Sequence, residues 1–554
     1  MTNRKFSSRV ISSLITATLA GCGAMMTLDV QAAVPGITGD GGLAAATTFN
    51  LTARAGAISQ PDGAALYSWG YGCTVGAKTS FAPSAFVTLS SCSDFQVPAP
   101  TLIVREGTVV TVNLTNNLPA PAGNTSIVFP GFQVSATANT GTAGLLTQEA
   151  APGGTVTYMF TAAKPGTYAY YSGTQPELQI EMGMYGAVIV LPNIVMDTVC
   201  PTSALSNYVD FRLAHAAYDH PQTCYDREYL FQFAEADSRI NNAAEQQVQA
   251  CAAAHAANAA CAAAVTVNTE PFVPNYFLIN GRSMPDLMDG DFIPNFPSQP
   301  YNGNPHIRPG EMLLMRTIGQ GRIQHPFHIH GDHARTLARD GNLIVAQVDP
   351  SSTLQNPLGS GKVNRLAGPL IFTVPTVSGQ SIDGLFSWSG KGLNWDVYGP
   401  TDHVCNGTPY PGFRSTTALP TPVPMDAPGT AYQDYLTAVQ KITATTVSAG
   451  YDAATGENCA DHGKPIPVMP PDPQIVANGL WYAGTPYLGV QTIGSPFAST
   501  PLPPGTSLQN TSAGYAYMWH SHDEREITTN DVFPGGMMMM LIIDPPGTSV
   551  DETK

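Results

Sequence analysis

Residues 101–113 read Thr101-Leu-Ile-Val-Arg-Glu-Gly-Thr-Val-Val-Thr-Val-Asn113, two short apolar runs separated by Glu106 and Gly107. β-branched side chains dominate both runs, and such runs bounded by turn residues are typical of β-strands. Two further runs, Thr155 to Phe160 and Gly186 to Val190, have the same character. Short strands that recur between Gly, Pro and Asn residues predict an all-β fold, a sandwich or a barrel.

The composition fits a large folded protein that acts on neither nucleic acid nor an anionic membrane surface. The 554 residues allow two to four domains. Lys and Arg total 24 and Asp and Glu total 40, which gives a formal net charge of −16. This acidic balance argues against binding to polyanions. The 53 Gly and 47 Pro residues exclude a coiled coil, while an apolar fraction of 43% allows a sizeable core.

The N-terminus, residues 1–33, has the pattern of an export signal. Arg4, Lys5 and Arg9 precede an apolar stretch from Ile11 to about Leu28. Two outcomes stay open: Leu19-Ala-Gly-Cys22 resembles a lipoprotein signal with Cys22 as the lipid anchor, and a small-residue site near Ala33 would release a soluble chain. A third interpretation is an anchor that is never cleaved. We expect the mature protein in the periplasm, at the outer membrane surface or outside the cell.

The cysteine count agrees with export. Without Cys22, eight of the nine cysteines remain, and an even number in an exported chain indicates disulfides. Sequence proximity suggests the following pairs, among the 105 pairings that eight cysteines allow: Cys73–Cys92, Cys200–Cys224, Cys251–Cys261 and Cys405–Cys459.

Two stretches interrupt the β pattern. Residues 233–265 are rich in Ala and predict a helix. Because a straight helix would separate Cys251 and Cys261 by about 15 Å, either the helix folds back near His255 to Asn258 or these cysteines pair elsewhere. We interpret the stretch as a helical hairpin inserted between two β-domains. Residues 395–475, rich in Pro, Gly and Thr, predict a long insertion.

Six of the twelve histidines lie in two short clusters, His325-Pro-Phe-His-Ile-His-Gly-Asp-His333 and Trp519-His-Ser-His522. Residues two apart on a strand share a face, so His328 and His330 can converge, and so can His520 and His522. Two such strands side by side would place four imidazoles around one point, a set suited to copper or zinc. A single His-x-His pair on a solvated strand is usually accidental, whereas two pairs predict a metal centre. His325 is added to this predicted set with less weight. The remaining histidines are interpreted as ordinary surface or core residues: His215, His220, His255, His306, His403 and His462.

These clusters resemble the multicopper oxidase family, which includes laccase-like and copper-resistance oxidases. The likeness extends to Thr101–Asn117, to Gly166–Gln175 followed by Gly183–Val190, to Asn275–Arg282, to His325–Gly341 and to Tyr517–Met540, the last of which resembles the family's terminal copper motif. The resemblance implies cupredoxin-like Greek-key sandwiches and a copper-binding oxidoreductase. Since only about 45 residues separate Arg282 from His325, we expect two such domains rather than three. The predicted organisation is a signal over 1–33, a first domain over 34–196, a linker with the helical insert over 197–268, a second domain over 269–546 and a tail over 547–554.

The chain departs from the family's copper ligands at several positions. By the resemblance, one lost His pair falls on Val128 and Pro130 and another on Tyr171 and Gly173. In the terminal motif, Ser521 replaces the Cys and Glu526 replaces a further His. A blue copper site needs a thiolate, so none is expected. Met537 to Met540 is interpreted as a final buried strand.

The expected function is therefore a reduced version of the family's. Four imidazoles suffice for one or two copper ions, with zinc or manganese as alternatives, and the sequence names no catalytic residue. Some nearby polar residues could add ligands, although the simpler interpretation is that they are solvated loop residues. They are Gln175, Glu177, Glu181, Asp332, His333, Asp523 and Glu524. Two hypotheses follow: an oxidase acting on a small molecule or metal ion, and a non-catalytic metal-binding or structural protein at the cell surface. Membrane contact is expected only through Cys22, and the oligomeric state is open.

Overall fold

The computed structural model describes residues 34–83, 92–200, 211–257, 264–388 and 517–544, and adds only the backbone of short strands between 403 and 516. The predicted export signal and most of the predicted insertion over 395–475 lie outside the described residues. Strands dominate what is described, so the expected all-β class is confirmed.

The first half of the chain forms a β-sandwich of two five-stranded sheets. One sheet has the order β11-β12-β5-β1-β4, the other the order β3-β2-β6-β10-β7, and β8 and β9 form a separate hairpin. The strands are β1 (Gly36–Thr38), β2 (Ala46–Ser59), β3 (Ala65–Cys73), β4 (Ser80–Ala82), β5 (Leu102–Arg105), β6 (Val109–Asn116), β7 (Ser135–Ala138), β8 (Gly141–Ala143), β9 (Gln148–Ala150), β10 (Thr155–Thr161), β11 (Gly166–Tyr171) and β12 (Tyr185–Leu191).

Strand β6 shows how the sequence builds this sandwich. Its side chains alternate, so Val110, Val112 and Leu114 are buried while their neighbours are partly or fully exposed. The same core contains residues from both sheets, among them Trp69 and Tyr170. The period-two pattern therefore fixes which face of the strand packs inward.

The second half of the chain forms another sandwich. One sheet has the order β14-β13-β16-β22-β18-β19, with β20 beside β18, and the other has the order β15-β31-β30-β17-β21, with β27 beside β30. A shared core of aromatic and aliphatic side chains, including Phe231, Phe327 and Trp519, lies between them. The strands of this half are β13 (Arg227–Ala236), β14 (Tyr276–Ile279), β15 (His306–Ile307), β16 (Met312–Gly319), β17 (His325–Ile329), β18 (Ala334–Arg339), β19 (Asn342–Leu343), β20 (Leu370–Ile371), β21 (Thr373–Thr376), β22 (Ser381–Ser387), β23 (His403–Cys405), β24 (Thr408–Tyr410), β25 (Tyr451–Asp452), β26 (Glu457–Asn458), β27 (Gly479–Tyr482), β28 (Gly489–Gln491), β29 (Ser499–Pro501), β30 (Gly514–Ser521) and β31 (Met538–Ile543). Three pairs of them, β23 with β24, β25 with β26 and β28 with β29, form separate two-stranded sheets outside the sandwich.

The last strand confirms the interpretation of the methionine run. Met538, Met539 and Met540 open β31, and they and Met537 are all buried. Strand β31 pairs antiparallel with β30, so the methionines form part of the sandwich core. Their burial accounts for them as core residues.

Two of the suggested disulfides are confirmed, Cys73–Cys92 and Cys200–Cys224. Cys251 is also disulfide-bonded, but its predicted partner Cys261 lies outside the described residues. The predicted Cys405–Cys459 pair lies outside them as well.

The Ala-rich stretch begins its helix later than predicted, and residues 258–263 of the predicted helical hairpin lie outside the described residues. The helices are α1 (Pro176–Gln179), α2 (Met196–Val199) and α3 (Ser238–Ala256), with short 3-10 turns at Ala120–Ala122 and Asp286–Met288. The helix predicted over 233–265 thus begins only at Ser238, because Phe233–Ala236 pair with β14 as the end of β13. It is inserted within the second sandwich rather than between two domains, and the predicted linker over 197–268 contains a strand of that sandwich. Among the described residues, no helix is long and apolar enough to span a membrane.

Buried polar contacts join the two sandwiches. The Arg316 guanidinium in β16 donates to Thr167 Oγ1 in β11 at 3.1 Å. Gln320 Nε2 donates to the carbonyl of Gly186 at 2.8 Å, and the Ser381 hydroxyl donates to the carbonyl of Thr167. The two halves therefore share a buried, hydrogen-bonded boundary.

Candidate metal centre

The two histidine clusters lie on neighbouring strands. Strand β17 pairs antiparallel with β30, and His328 lies directly opposite His520. Because side chains alternate, Phe327 and Trp519 point into the core while the imidazoles of His328 and His520 share the opposite face. The predicted convergence of two His-x-His pairs therefore has the required strand register.

The four imidazoles lie close together. The ring centre of His328 is 4.7 Å from that of His330, 5.6 Å from that of His520 and 4.9 Å from that of His522. The ring centre of His520 is 5.3 Å from that of His330 and 5.6 Å from that of His522. Nε2 of His330 and Nε2 of His520 are 3.2 Å apart. The structure thus brings together the four residues predicted as the main ligand set.

Hydrogen bonds at Nδ1 orient two of the four imidazole rings, those of His520 and His328. Nδ1 of His520 is 2.7 Å from the carbonyl oxygen of Ser521, to which it can only donate, so its Nε2 carries the free lone pair. Nδ1 of His328 is 2.8 Å from Thr373 Oγ1. Such outer partners fix the ring orientation of metal-binding histidines.

The cluster favours neutral imidazoles. Burial, followed by the charges of the three neighbouring imidazoles, lowers the pKa of His328 to about 4. Burial also lowers the pKa of His520, partly offset by its hydrogen bond to the Ser521 carbonyl. Neutral imidazole is the form that binds a metal ion.

The spacing agrees with one metal ion held by four imidazoles. Nitrogens placed tetrahedrally at 2.0–2.1 Å from an ion would be about 3.3 Å apart, and the ring centres about 5 Å apart. The distances above scatter around these values. Within the described residues, however, no group of three or more His, Cys, Asp or Glu side chains is already converged as a metal site. The donor set therefore suits copper or zinc in kind, and its spacing is near that of a tetrahedral site, but the four side chains do not converge on one point in this structure.

His325 lies on the other face of β17, apart from these four. It is fully buried, with Nε2 3.0 Å from Glu235 Oε2 and Nδ1 2.9 Å from Glu526 Oε1. Burial by itself would lower the pKa of His325, but hydrogen bonds and charges of Glu235 and Glu526 outweigh it and raise the pKa to about 9. His325 is thus an imidazolium between two carboxylates, whereas the prediction placed it with the metal ligands.

In the first sandwich, Val128 and Gly173 lie against each other at two of the positions where the resemblance expected further ligands. Val128 and Tyr171 exchange backbone hydrogen bonds of 2.9 and 3.3 Å. A Cβ on Gly173 would lie only 2.7 Å from Cγ1 of Val128, so the space for a larger side chain there is filled. Pro130 lines a cleft of about 460 Å³ between the sandwiches.

The other polar candidates do not join the cluster as buried ligands. Glu181 is buried, with Oε1 accepting from the backbone N–H of Asp237 at 2.6 Å, and burial holds its pKa well above the ordinary range. Exposed loop residues near the retained His pairs are Asp332, His333, Asp523 and Glu524.

The sequence interpretation missed several residues that contact the histidines, among them Thr373, Thr376 and Glu235. Thr373 carries no motif, and its role follows only from the pairing of β21 with β17. Glu235 lies in the stretch predicted as helix, which hid its place at the end of β13. The one sequence signal for the position of Glu235 was strand alternation in the run Leu230–Ala236, which puts Glu235 on the same face as Phe233.

Comparison with known proteins relates the first sandwich to one family. Residues 87–194 match the family model for multicopper oxidase. A multicopper oxidase named MCE from Talaromyces pinophilus is 34% identical over 118 residues, which are 21% of this chain and 18% of that protein. Laccase abr2 from Aspergillus fumigatus is 34% identical over 113 residues, 20% of this chain and 18% of that protein. The matched part is thus less than a fifth of the length of either relative.

Among solved structures, the chain matches that of the multicopper oxidase mgLAC. The match has a TM-score of 0.43 and 14% identity and covers 91% of this chain and 88% of that chain. The chain also matches the blue copper oxidase from Nitrosomonas europaea, with a TM-score of 0.43 and 16% identity over 92% and 90% of the two chains. Through residues 87–194, this β-sandwich protein is thus similar to a domain of the multicopper oxidase family.

Proposed function

We propose that this protein is an exported, copper-binding oxidoreductase of the multicopper oxidase type with a reduced metal centre. His328, His330, His520 and His522 would hold one or two copper ions. The observation that carries the proposal is the meeting of four imidazoles across β17 and β30, with His328 opposite His520. Zinc or manganese are the alternative metals.

The residues of the centre have distinct parts in this proposal. The imidazoles of His328 and His520 offer Nε2 toward the cluster, while Thr373 and the Ser521 carbonyl hold their Nδ1 atoms. Bound copper would supply one-electron redox chemistry. Since Ser521 offers no thiolate, we expect a copper centre without the intense blue colour of a Cys-ligated one.

The proposed substrate is a small molecule or a metal ion that gives up electrons at this centre. Complete four-electron reduction of oxygen is not part of the proposal, because matching positions keep four imidazoles and the first-sandwich positions Val128 and Gly173 are closed. The chain is not proposed to bind nucleic acid, given its charge of −16.

A second candidate function is supported by the same closed positions. The protein would then be a non-catalytic metal-binding or structural component of the cell surface. The buried ion pairs of His325 with Glu235 and Glu526, on the core face of β17, support this candidate, because they leave His325 no free nitrogen for a metal.

Metal content of the periplasmically expressed full chain tests the proposal. We expect one or two coppers per chain by elemental analysis, a copper signal in electron paramagnetic resonance and no intense blue band. His328→Ala combined with His520→Ala should remove the copper, while His255→Ala, an exposed change on α3, should leave it unchanged. Zinc alone or no metal would contradict copper binding. Bound copper without substrate-dependent oxygen uptake would favour the second candidate.

Export is proposed from the N-terminal pattern and agrees with the two disulfides. Cell fractionation should find the chain outside the cytoplasm. Metabolic labelling with a fatty acid that is abolished by Cys22→Ala would support a lipid anchor, and no labelling would support release near Ala33.

A further inference from the structure

Ser521 is held tightly on the core face of β30, between two of the proposed ligands. It is fully buried, and its hydroxyl donates to Glu526 Oε2 in a short hydrogen bond. The same hydroxyl oxygen accepts from the backbone N–H of Asp523 at 3.2 Å. The Ser521 carbonyl meets Nδ1 of His520 at 2.7 Å. Ser521 therefore connects buried groups on one face of the strand to an imidazole on the other.

Glu526 extends this connection to the neighbouring strand. Its side chain is 3% exposed, and its second oxygen, Oε1, is 2.9 Å from Nδ1 of His325 at the start of β17. The backbone of Glu526 is fixed as well, since its carbonyl accepts from the N–H of Met537 at 2.7 Å. The carboxylate thus crosslinks β17 to the segment that follows β30.

The far side of His325 is anchored in the other sheet. Its Nε2 is 3.0 Å from Glu235 Oε2 on β13. Glu235 Oε1 accepts from the backbone N–H of Ile323 at 3.1 Å and from that of Arg322. With both carboxylate oxygens engaged, Glu235 leaves His325 little freedom to move.

Thr376 ties His325 to β21. The N–H of His325 donates to Thr376 Oγ1 at 3.1 Å, and Thr376 Oγ1 lies 3.1 Å from the His325 carbonyl. Thr373, three residues earlier on β21, contacts His328 Nδ1. The strands that carry the imidazoles are therefore fixed from both sides.

We infer that Ser521, Glu526 and His325 form a positioning network that sets the β17–β30 register and the His520 ring orientation for the four-imidazole centre. The inference rests on the proposed function for the metal it serves. None of the three residues is a ligand in it. The network acts through the Ser521 carbonyl on His520 and through β17 on His328.

The test compares two conservative variants of the full chain with the wild type. Ser521→Ala removes one buried hydroxyl, and Glu526→Gln removes the charge but keeps the shape. We expect Ser521→Ala to weaken copper binding by up to about 10-fold, the lower end of the effect of losing an outer-shell partner, because the Ser521 carbonyl remains and loses only its support; the copper hyperfine splitting should change as well. Glu526→Gln should move both quantities in the same direction. Ile329→Val is the matched control, because Ile329 is buried on the same core face of β17 as His325 and its side chain makes no polar contact. It should leave copper affinity and hyperfine splitting unchanged.

A metal-free measurement separates this inference from the copper proposal. In histidine-labelled protein without metal, the ring-nitrogen resonances of His520 and His328 should shift in Ser521→Ala and remain in place in Ile329→Val. If the wild type binds no copper, the proposed function fails while these resonances still test the network. Unchanged resonances together with copper affinities within twofold of the wild type would overturn the inference. Ser521→Ala carries the test alone if Glu526→Gln does not fold.

Discussion

His325 has a carboxylate on each side of its ring, so its charge is tied to folding. The folded pKa of about 9 exceeds the ordinary value of 6.5 because the carboxylates of Glu235 and Glu526 outweigh the effect of burial. A raised pKa means that the folded state binds the proton more tightly than the unfolded state does. The resulting stabilisation is complete below about pH 6.5 and is lost as the pH rises through about 9.

We therefore expect the free energy of unfolding to fall between pH 6.5 and 9, by an amount on the order of 3 kcal/mol for this one group. Urea titrations at half-unit pH steps would measure the slope. His325→Gln should flatten it over that interval, since glutamine does not titrate. A wild-type stability that stays level or rises between pH 6.5 and 9 would contradict the charge assignment.

Gly173 is a second single position with a measurable consequence. A Cβ there would lie 2.7 Å from Cγ1 of Val128 and 3.1 Å from Oγ of Ser126, so even alanine overfills the site. We expect Gly173→Ala to lower stability by about 1–3 kcal/mol. Adding Val128→Ala should recover part of this loss, giving a favourable coupling in a double-mutant cycle followed by urea unfolding. Strictly additive effects would show that Val128 is not what fills the space.

Much of the metal centre could be predicted from single residues, and some of it could not. The spacing of His328 with His330 and of His520 with His522 predicts a common face, because alternation is a local property of a strand. The loss of a thiolate at Ser521 is also visible in the sequence. The contacts of His325 with Glu235, 90 residues earlier, depend on the pairing of distant strands, which no local pattern reports.

At the scale of elements, helix α3 shows why an Ala-rich run gives a poor boundary. Alanine favours helix throughout, so the run itself does not mark where the helix begins. The start is set by Asp237, whose side chain accepts from the N–H of Arg239 at 3.1 Å and from that of Val273 at 2.9 Å. The residues before Asp237 belong to β13, because they pair with β14, and this tertiary contact overrides their helix propensity.

Asp237→Ala should therefore lower the free energy of unfolding by about 1–2 kcal/mol, since it removes the N-cap of α3 and leaves the Val273 N–H without its partner. Asp237→Asn keeps an accepting oxygen and should cost less. Chemical denaturation of both variants measures the difference. Equal stability of Asp237→Ala and the wild type would mean that the cap is not needed to start the helix.

The pairing of β17 with β30 is the element-level feature on which the metal centre depends. The two His-x-His spacings predicted both strands and predicted that they lie side by side. The core residues Phe327 and Trp519 oppose a one-residue slip of the register that places His328 opposite His520, because such a slip would exchange the buried and exposed faces. Packing on one face of the sheet thus determines the chemistry offered on the other.

At the scale of the whole molecule, the two sandwiches are joined through a buried charge. The side chain of Arg316 is inaccessible to solvent, pairs with Glu228 at 2.8 Å and donates to Thr167 of the first sandwich. The resemblance and the short spacing between Arg282 and His325 predicted two sandwiches but gave no sign of this junction. A charged residue within an otherwise apolar strand was the only hint, and its partner had to come from the fold.

Arg316→Met should destabilise the protein strongly, by about 3–5 kcal/mol, because it leaves the Glu228 carboxylate buried without its counter-charge. Adding Glu228→Gln removes that charge, while its amide oxygen still accepts from the N–H of Leu213 and from the hydroxyl of Tyr225, the two groups that bond the native Oε1. The double variant should therefore be more stable than Arg316→Met alone. Calorimetry gives the direct comparison, since both sandwiches contribute to the unfolding heat. If the double variant unfolds at or below the temperature of the single variant, the cost lies in the lost contact with Thr167 rather than in the stranded charge. The junction would then hold the sandwiches by hydrogen bonding instead of by charge balance.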